Sequence, residues 1–132
     1  MTSYNRSRHT KSAKDYLDEA NAVVPRMSAE EAVKMHGGEN ALFVDVRDSS
    51  SIAESGTIAG AVCIPRGMIE FAADPDVPLY KDMLPKGSDI YLVCGAGGQA
   101  ALAGKTLKDM GYSSVTNIGG FSDWKEAGGP SE

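Results

Sequence analysis

Cys94 is followed by Gly95-Ala96-Gly97-Gly98-Gln99 and then by a helical run that opens at Ala100. Glycines at three of these five positions let successive backbone N–H groups curl inward into an anion-binding nest. The helix start that follows adds positive potential. Ahead of the thiol, Asp89-Ile90-Tyr91-Leu92-Val93 reads as a buried strand. Cys94 therefore stands at the carboxyl end of a strand, where open α/β sheets place their ligands. A sulfur anion in such a nest is suited to carry a terminal sulfur as a persulfide. The sulfur would come from a donor and pass to a nucleophilic acceptor, which is covalent catalysis in two easier steps. The bland alternative is an inert cysteine buried at a strand end. The three glycines favour the reactive one.

Asp45 and Arg47 fall near the end of an earlier strand. They are expected to form a buried ion pair that holds loops together, with substrate orientation as the alternative. Arg66 follows the next strand and is a candidate cation for the mouth of the site, against the alternative of a solvated arginine. Cys63 lies within that strand and is expected to be a small core residue, with a resolving thiol for Cys94 as the alternative. His9 and His36 are not paired at metal spacing, so no metal is implied. Trp124, at helical spacing from Phe121, is expected in the core.

The elements that position these residues alternate in type. Residues 15–24 carry apolar side chains at helical spacing, and Pro25 stops that helix. Ser28 with Glu31 three residues later starts a second helix, which ends at Gly37-Gly38. Ala41 to Val46 is a short apolar strand. Residues 48–55 read as a helical turn, 61–64 as a strand stopped by Pro65, and 68–73 as a helix. Three prolines between Asp74 and Gly87 mark a surface loop. After the Cys94 strand and loop come a helix over 100–110, a strand over 114–118 and a closing helix over 121–127. This alternation predicts an α/β domain, a mostly parallel open sheet flanked by helices. Residues 1–14 are polar and basic and are expected to be a mobile tail, leaving 15–132 as the domain.

The chain has 132 residues, enough for one domain with a real core. Its formal net charge is −5 and its body has no basic cluster, which argues against nucleic-acid binding. Two cysteines are too few for a secreted disulfide scaffold. No apolar stretch is long enough to span a bilayer, and the N-terminus lacks an apolar signal core. The expected setting is cytoplasmic and reducing, with no membrane partner.

Four blocks in order resemble the rhodanese family. They are Asp45-Val46-Arg47; Gly56-Thr57-Ile58-Ala59-Gly60-Ala61-Val62-Cys63-Ile64-Pro65; Leu92-Val93-Cys94 with Gly95 to Gln99; and Gly119-Gly120-Phe121 through Trp124 to Gly128-Gly129-Pro130. The resemblance spans about residues 25–130 and implies a single rhodanese-like domain. It implies a Cys94 persulfide and transfer of sulfane sulfur from a donor such as thiosulfate. The acceptor would be a small thiol, cyanide or an acceptor protein. The substrate-binding set is Gly95, Ala96, Gly97, Gly98 and Gln99, with Arg66, and no metal or organic cofactor is required.

The sequence departs from the family at the loop. The family usually places arginine directly after the cysteine, and arginine or threonine as the sixth loop residue. Here Gly95 and Gln99 stand there, and Thr57 replaces the usual histidine. A charge-assisted contact is worth ~1.5–3 kcal/mol, so a dianionic donor should bind roughly tenfold more weakly or worse. Gly95 is also expected to need a backbone angle that a side chain tolerates poorly.

Three other readings stay in view. Related cysteine phosphatases and arsenate reductases need an arginine six residues after the cysteine, and this chain has Ala100. Gly95 to Ala100 fits the G-x-G-x-x-A dinucleotide pattern, but no acidic residue follows the next strand to take a ribose. A rhodanese-like interaction module that uses the pocket without turnover is the alternative from a different class.

Overall fold

The computed structural model describes residues 10–78 and 82–132. Helices α1 (Ala13–Val23), α2 (Ala29–Met35), α3 (Ser49–Ser55), α4 (Ile69–Ala73), α5 (Gly98–Asp109) and α6 (Phe121–Glu126) surround strands β1 (Ala41–Asp45), β2 (Val62–Cys63), β3 (Asp89–Cys94) and β4 (Val115–Gly120). The four strands form one parallel sheet in the order β2-β1-β3-β4. This is the expected α/β architecture.

The expected tail over 1–14 lies mostly outside the described residues. Ala13 and Lys14 already belong to α1. Ser12 caps that helix, accepting from the Asp15 N–H while the Asp15 carboxylate accepts from the Ser12 N–H. At α2, the Ser28 hydroxyl accepts from the Glu31 N–H.

Alternation along the strands divides the core between the two faces. Val44, Leu92 and Cys94 face one layer, where Ile69 and Ala72 of α4 and Ala100, Ala103 and Leu107 of α5 cover them. Phe43, Val93 and Ile118 face the other, under Ala32 of α2 and Phe121 and Trp124 of α6. Trp124 is buried as expected and donates from its indole N–H to the Pro130 carbonyl at 2.9 Å.

The end of β1 is tied by a buried polar network. Arg47 pairs with Asp45 at 2.8 Å and also donates to the Gly56 carbonyl. Thr57, at the position where the family's histidine is usual, donates its hydroxyl to Asp45 at 2.7 Å. The Arg47 guanidinium also lies 4.7 Å from the Phe121 ring centre. Asp45 and Arg47 thus have the structural partners expected of them, clamping the chain after β1 to residues 55–57.

Cys63 corrects an expectation: it is exposed rather than in the core. The reason is that β2 is only two residues long and forms the edge of the sheet. Cys63 pairs with Asp45, and Asp45 pairs with Val93. Cys63 therefore shares a face with Val93, and Cys94 points to the opposite face. Two strand spacings alone, roughly 9–10 Å, already exceed disulfide reach. This register removes the resolving-thiol alternative.

Candidate active site around Cys94

Apolar side chains anchor β3 in the middle of the sheet, so its last residue is held firmly. Cys94 is 1% exposed. Its Sγ accepts the backbone N–H of Gly97 at 3.0 Å and of Ala100 at 3.3 Å. Gly97 adopts φ +101°, a left-handed conformation, and serves as the N-cap of α5. That twist brings its N–H onto the sulfur and starts the helix in one step. The first turn of α5 contains no acidic side chain to oppose its positive end.

Among the expected loop residues, Gly97 contacts the sulfur directly. Gly95, Ala96 and Gln99 are exposed around it, and Gly98 is half-buried. Ala100 supplies the second amide, from just beyond the loop set read in the sequence. No donor to Sγ comes from Gly95, Ala96, Gly98 or Gln99. The Arg66 guanidinium contacts Glu70 at 3.1 Å and the Thr106 hydroxyl at 3.3 Å. Thr106 lies about two helical turns beyond Gly98, roughly 12 Å along α5.

Two neighbours of the loop went unread in the sequence. Asn117 of β4 is completely buried. Its side-chain amide donates to the Gly97 carbonyl at 2.8 Å, and its side-chain oxygen accepts the Gly119 N–H at 2.9 Å. An asparagine inside a strand is a depleted residue type, which was the available signal. Gly120 faces Cys94 across a register shift between β3 and β4. A Cβ there would collide with the Gly95 carbonyl, so the close approach of loop and strand requires glycine. Arg26 is the second neighbour. Its guanidinium lies against Gly97 and Gly119.

Two backbone amides at the loop converge on the Cys94 sulfur, and among the described residues the sheet has four strands. The sequence matches the family profile described as a rhodanese-like domain over residues 28–127. The chain belongs to the rhodanese-like domain family.

Known proteins similar to this rhodanese-like domain agree on the fold. A Rhodopseudomonas palustris protein of unknown function, described as a possible tyrosine phosphatase, is 38% identical and superposes with a TM-score of 0.85. That match covers 93% of this chain and 96% of the other. The rhodanese-like domain of an Anabaena protein is 29% identical with a TM-score of 0.67, covering 82% of this chain and 78% of the other. A Bacillus subtilis protein named for sulfur carriage, YrkF, is 29% identical over 83% of this chain. The adenylyltransferase and sulfurtransferase UBA4 of Meyerozyma guilliermondii is 36% identical over 63% of it. This chain spans 56% of the first of these two curated relatives and 20% of the second.

Among the described residues, no group of three or more His, Cys, Asp or Glu is placed to hold a metal ion. No described helix is long and apolar enough to cross a membrane.

Proposed function

We propose that this rhodanese-like domain is a sulfurtransferase or sulfur carrier that works through a persulfide on Cys94. The observation that carries this reading is the pair of N–H groups, from Gly97 and Ala100, converging on Cys94 Sγ. Converging amides favour negative charge on sulfur and need no rearrangement when that charge moves. The names of the YrkF and UBA4 relatives support the same class of chemistry.

With thiosulfate as donor, the Cys94 thiolate attacks the outer sulfur. A new Sγ–S bond forms, the donor's S–S bond breaks, and sulfite leaves with the electron pair. In the second step a thiophilic acceptor attacks the terminal sulfur, and Sγ leaves again as thiolate. A small thiol, cyanide or an acceptor protein can fill that role, a thiol giving up its proton to solvent. No redox partner or cofactor enters either step. A reducing, cytoplasmic setting would keep Cys94 available between turnovers. Arg66, engaged along α5, is not needed for this cycle.

Two observations favour the non-catalytic module as the second reading: Cys94 is buried, and residues 95–99 carry no charged side chain. Phosphatase chemistry is not carried over from the R. palustris neighbour. Ala100 occupies the position six after Cys94, where a phosphoryl group would require a cation.

Intact mass after incubation with several sulfur donors decides between the readings. Gain of one sulfur atom in wild type, absent in Cys94→Ser, is the expected result. Absence of an adduct with every donor favours the module.

A further inference from the structure

We propose that Arg26 is the specificity-determining cation of the Cys94 site, receiving the anionic end of a charged sulfur donor. Its Nη1 lies 2.9 Å from the point where a side chain would begin on Gly97, and its Nη2 lies 3.4 Å from the same point on Gly119. The Gly97 N–H is itself bonded to Cys94 Sγ at 3.0 Å. Chaining these contacts through standard bond lengths puts the guanidinium within roughly 8 Å of the sulfur. A thiosulfate whose outer sulfur is being bonded by Sγ carries its charged oxygens two bonds further out, toward that distance.

Three other cations around the sheet are held in ion pairs, while Lys86 lies over the Tyr112 ring and Lys125 over the Phe121 ring. Arg47 is held by Asp45, Arg66 by Glu70, and Lys105 by Asp109. Among the described residues no hydrogen bond or ion pair holds the Arg26 guanidinium.

Its backbone, by contrast, is fixed. Arg26 forms a parallel bridge with Asn117, flanked by hydrogen bonds from the Met27 N–H to the Asn117 carbonyl at 3.0 Å and from the Asn117 N–H to the Pro25 carbonyl at 2.9 Å. Asn117 is also the residue that holds the Gly97 carbonyl. One strand residue thus sets both the loop and the cation beside it. Arg26 opens onto a groove of about 300 Å³ that also includes Ser28, Gly119 and the three acidic residues Glu30, Asp123 and Glu126. The Asp123 carboxylate comes within 3.9 Å of the Gly119 position and would oppose an incoming anion.

This role rests on the sulfur-transfer reading for its natural substrate, but its test does not. Cys94 is alkylated with iodoacetate, an anion, and with iodoacetamide, its neutral counterpart, and adducts are read at Cys94 by peptide mapping. In Arg26→Gln the iodoacetate-to-iodoacetamide rate ratio is expected to fall about tenfold, the size of one lost charge-assisted contact. Arg26→Lys should keep part of the preference, and Asp123→Asn should raise it. The KM for thiosulfate should rise about tenfold in Arg26→Gln, while the rate with neutral iodoacetamide stays unchanged. An unchanged ratio, or an equal loss with both reagents, overturns the role of Arg26. A falling ratio without sulfur uptake from any donor keeps the anion site and overturns the transfer reading. Sulfur uptake with an unchanged ratio does the reverse.

Discussion

The side-chain amide of Asn117 donates to the Gly97 carbonyl at 2.8 Å, so the residue that presents an N–H to Cys94 is itself held from the neighbouring strand. Because Asn117 is fully buried, nothing replaces this bond when it is lost. Asn117→Ala leaves the Gly119 N–H unpaired and leaves the Gly97 carbonyl with the Ala101 N–H as its donor. The buried N–H left so costs about 1–3 kcal/mol. Lower denaturant resistance is expected, together with a loss of sulfur transfer of at least tenfold. Asn117→Asp keeps the acceptor for Gly119 but sets a carboxylate against the Gly97 carbonyl. It should therefore lose transfer as well. A variant with normal turnover would show that the loop holds its shape without this bond.

The Arg47 and Asp45 pair gives a prediction about stability alone. Asp45 is fully buried, and Arg47 is its cationic partner. Arg47→Ala strands the carboxylate with the Thr57 hydroxyl and the residue-47 N–H as its donors. Breaking a buried pair from one side costs about 3–5 kcal/mol. Urea unfolding should show a loss of that size, with Cys94 alkylation unchanged wherever the variant is still folded. A loss below about 1 kcal/mol would place the pair with exposed ion pairs.

Cys63 should be the slow thiol at neutral pH despite its exposure. Burial of its sulfur and then the nearby Asp45 charge push the Cys63 thiol above its ordinary value, against a smaller opposing effect of the Thr57 hydroxyl. Only the thiolate alkylates, so the rate should climb through a midpoint above that of a free cysteine. Asp45→Asn removes one of the raising charges and should move the midpoint down. Iodoacetamide kinetics from neutral to alkaline pH, mapped to the Cys63 peptide, would show it. A midpoint at or below that of a free thiol would contradict this environment.

Much of the fold was legible because its signals were local. Pro25, Ser28, Pro65 and the loop glycines set element ends within a few residues, and apolar runs marked the inner strands. Cys63 misled because a residue inside a short apolar run looks buried whether its strand is central or at the edge. Only the order β2-β1-β3-β4 distinguishes the two. The loop around Cys94 was visible from its glycines. Arg26 and Asn117 were not, because they reach Gly97 from about 70 residues before and 20 residues after it in the chain, through a bridge that no local pattern announces.

Arginine placed in the loop should increase thiosulfate turnover. Thiosulfate is a dianion, and its outer oxygens need donors beyond the two amides that meet Cys94 Sγ. Gln99 is exposed in the first turn of α5 and offers only neutral hydrogen bonds. Arginine is a good helix former, so Gln99→Arg should fold normally. Gly95 turns out to be the less demanding position that the sequence did not suggest. Its φ is not in the left-handed range, and a Cβ there meets nothing within 4 Å. Gly95→Arg is therefore expected to fold as well. In both variants the charge would bind the donor before and during reaction alike, so the gain belongs mainly in KM, about tenfold for one new contact. Steady-state thiosulfate kinetics at fixed cyanide measure it. Combining Gln99→Arg with Arg26→Gln separates the two cations: if both serve the same anion, the new arginine should recover most of the KM lost with Arg26. An unchanged KM in both single variants, with Cys94 alkylation intact, would mean that thiosulfate is not the donor this site is built for.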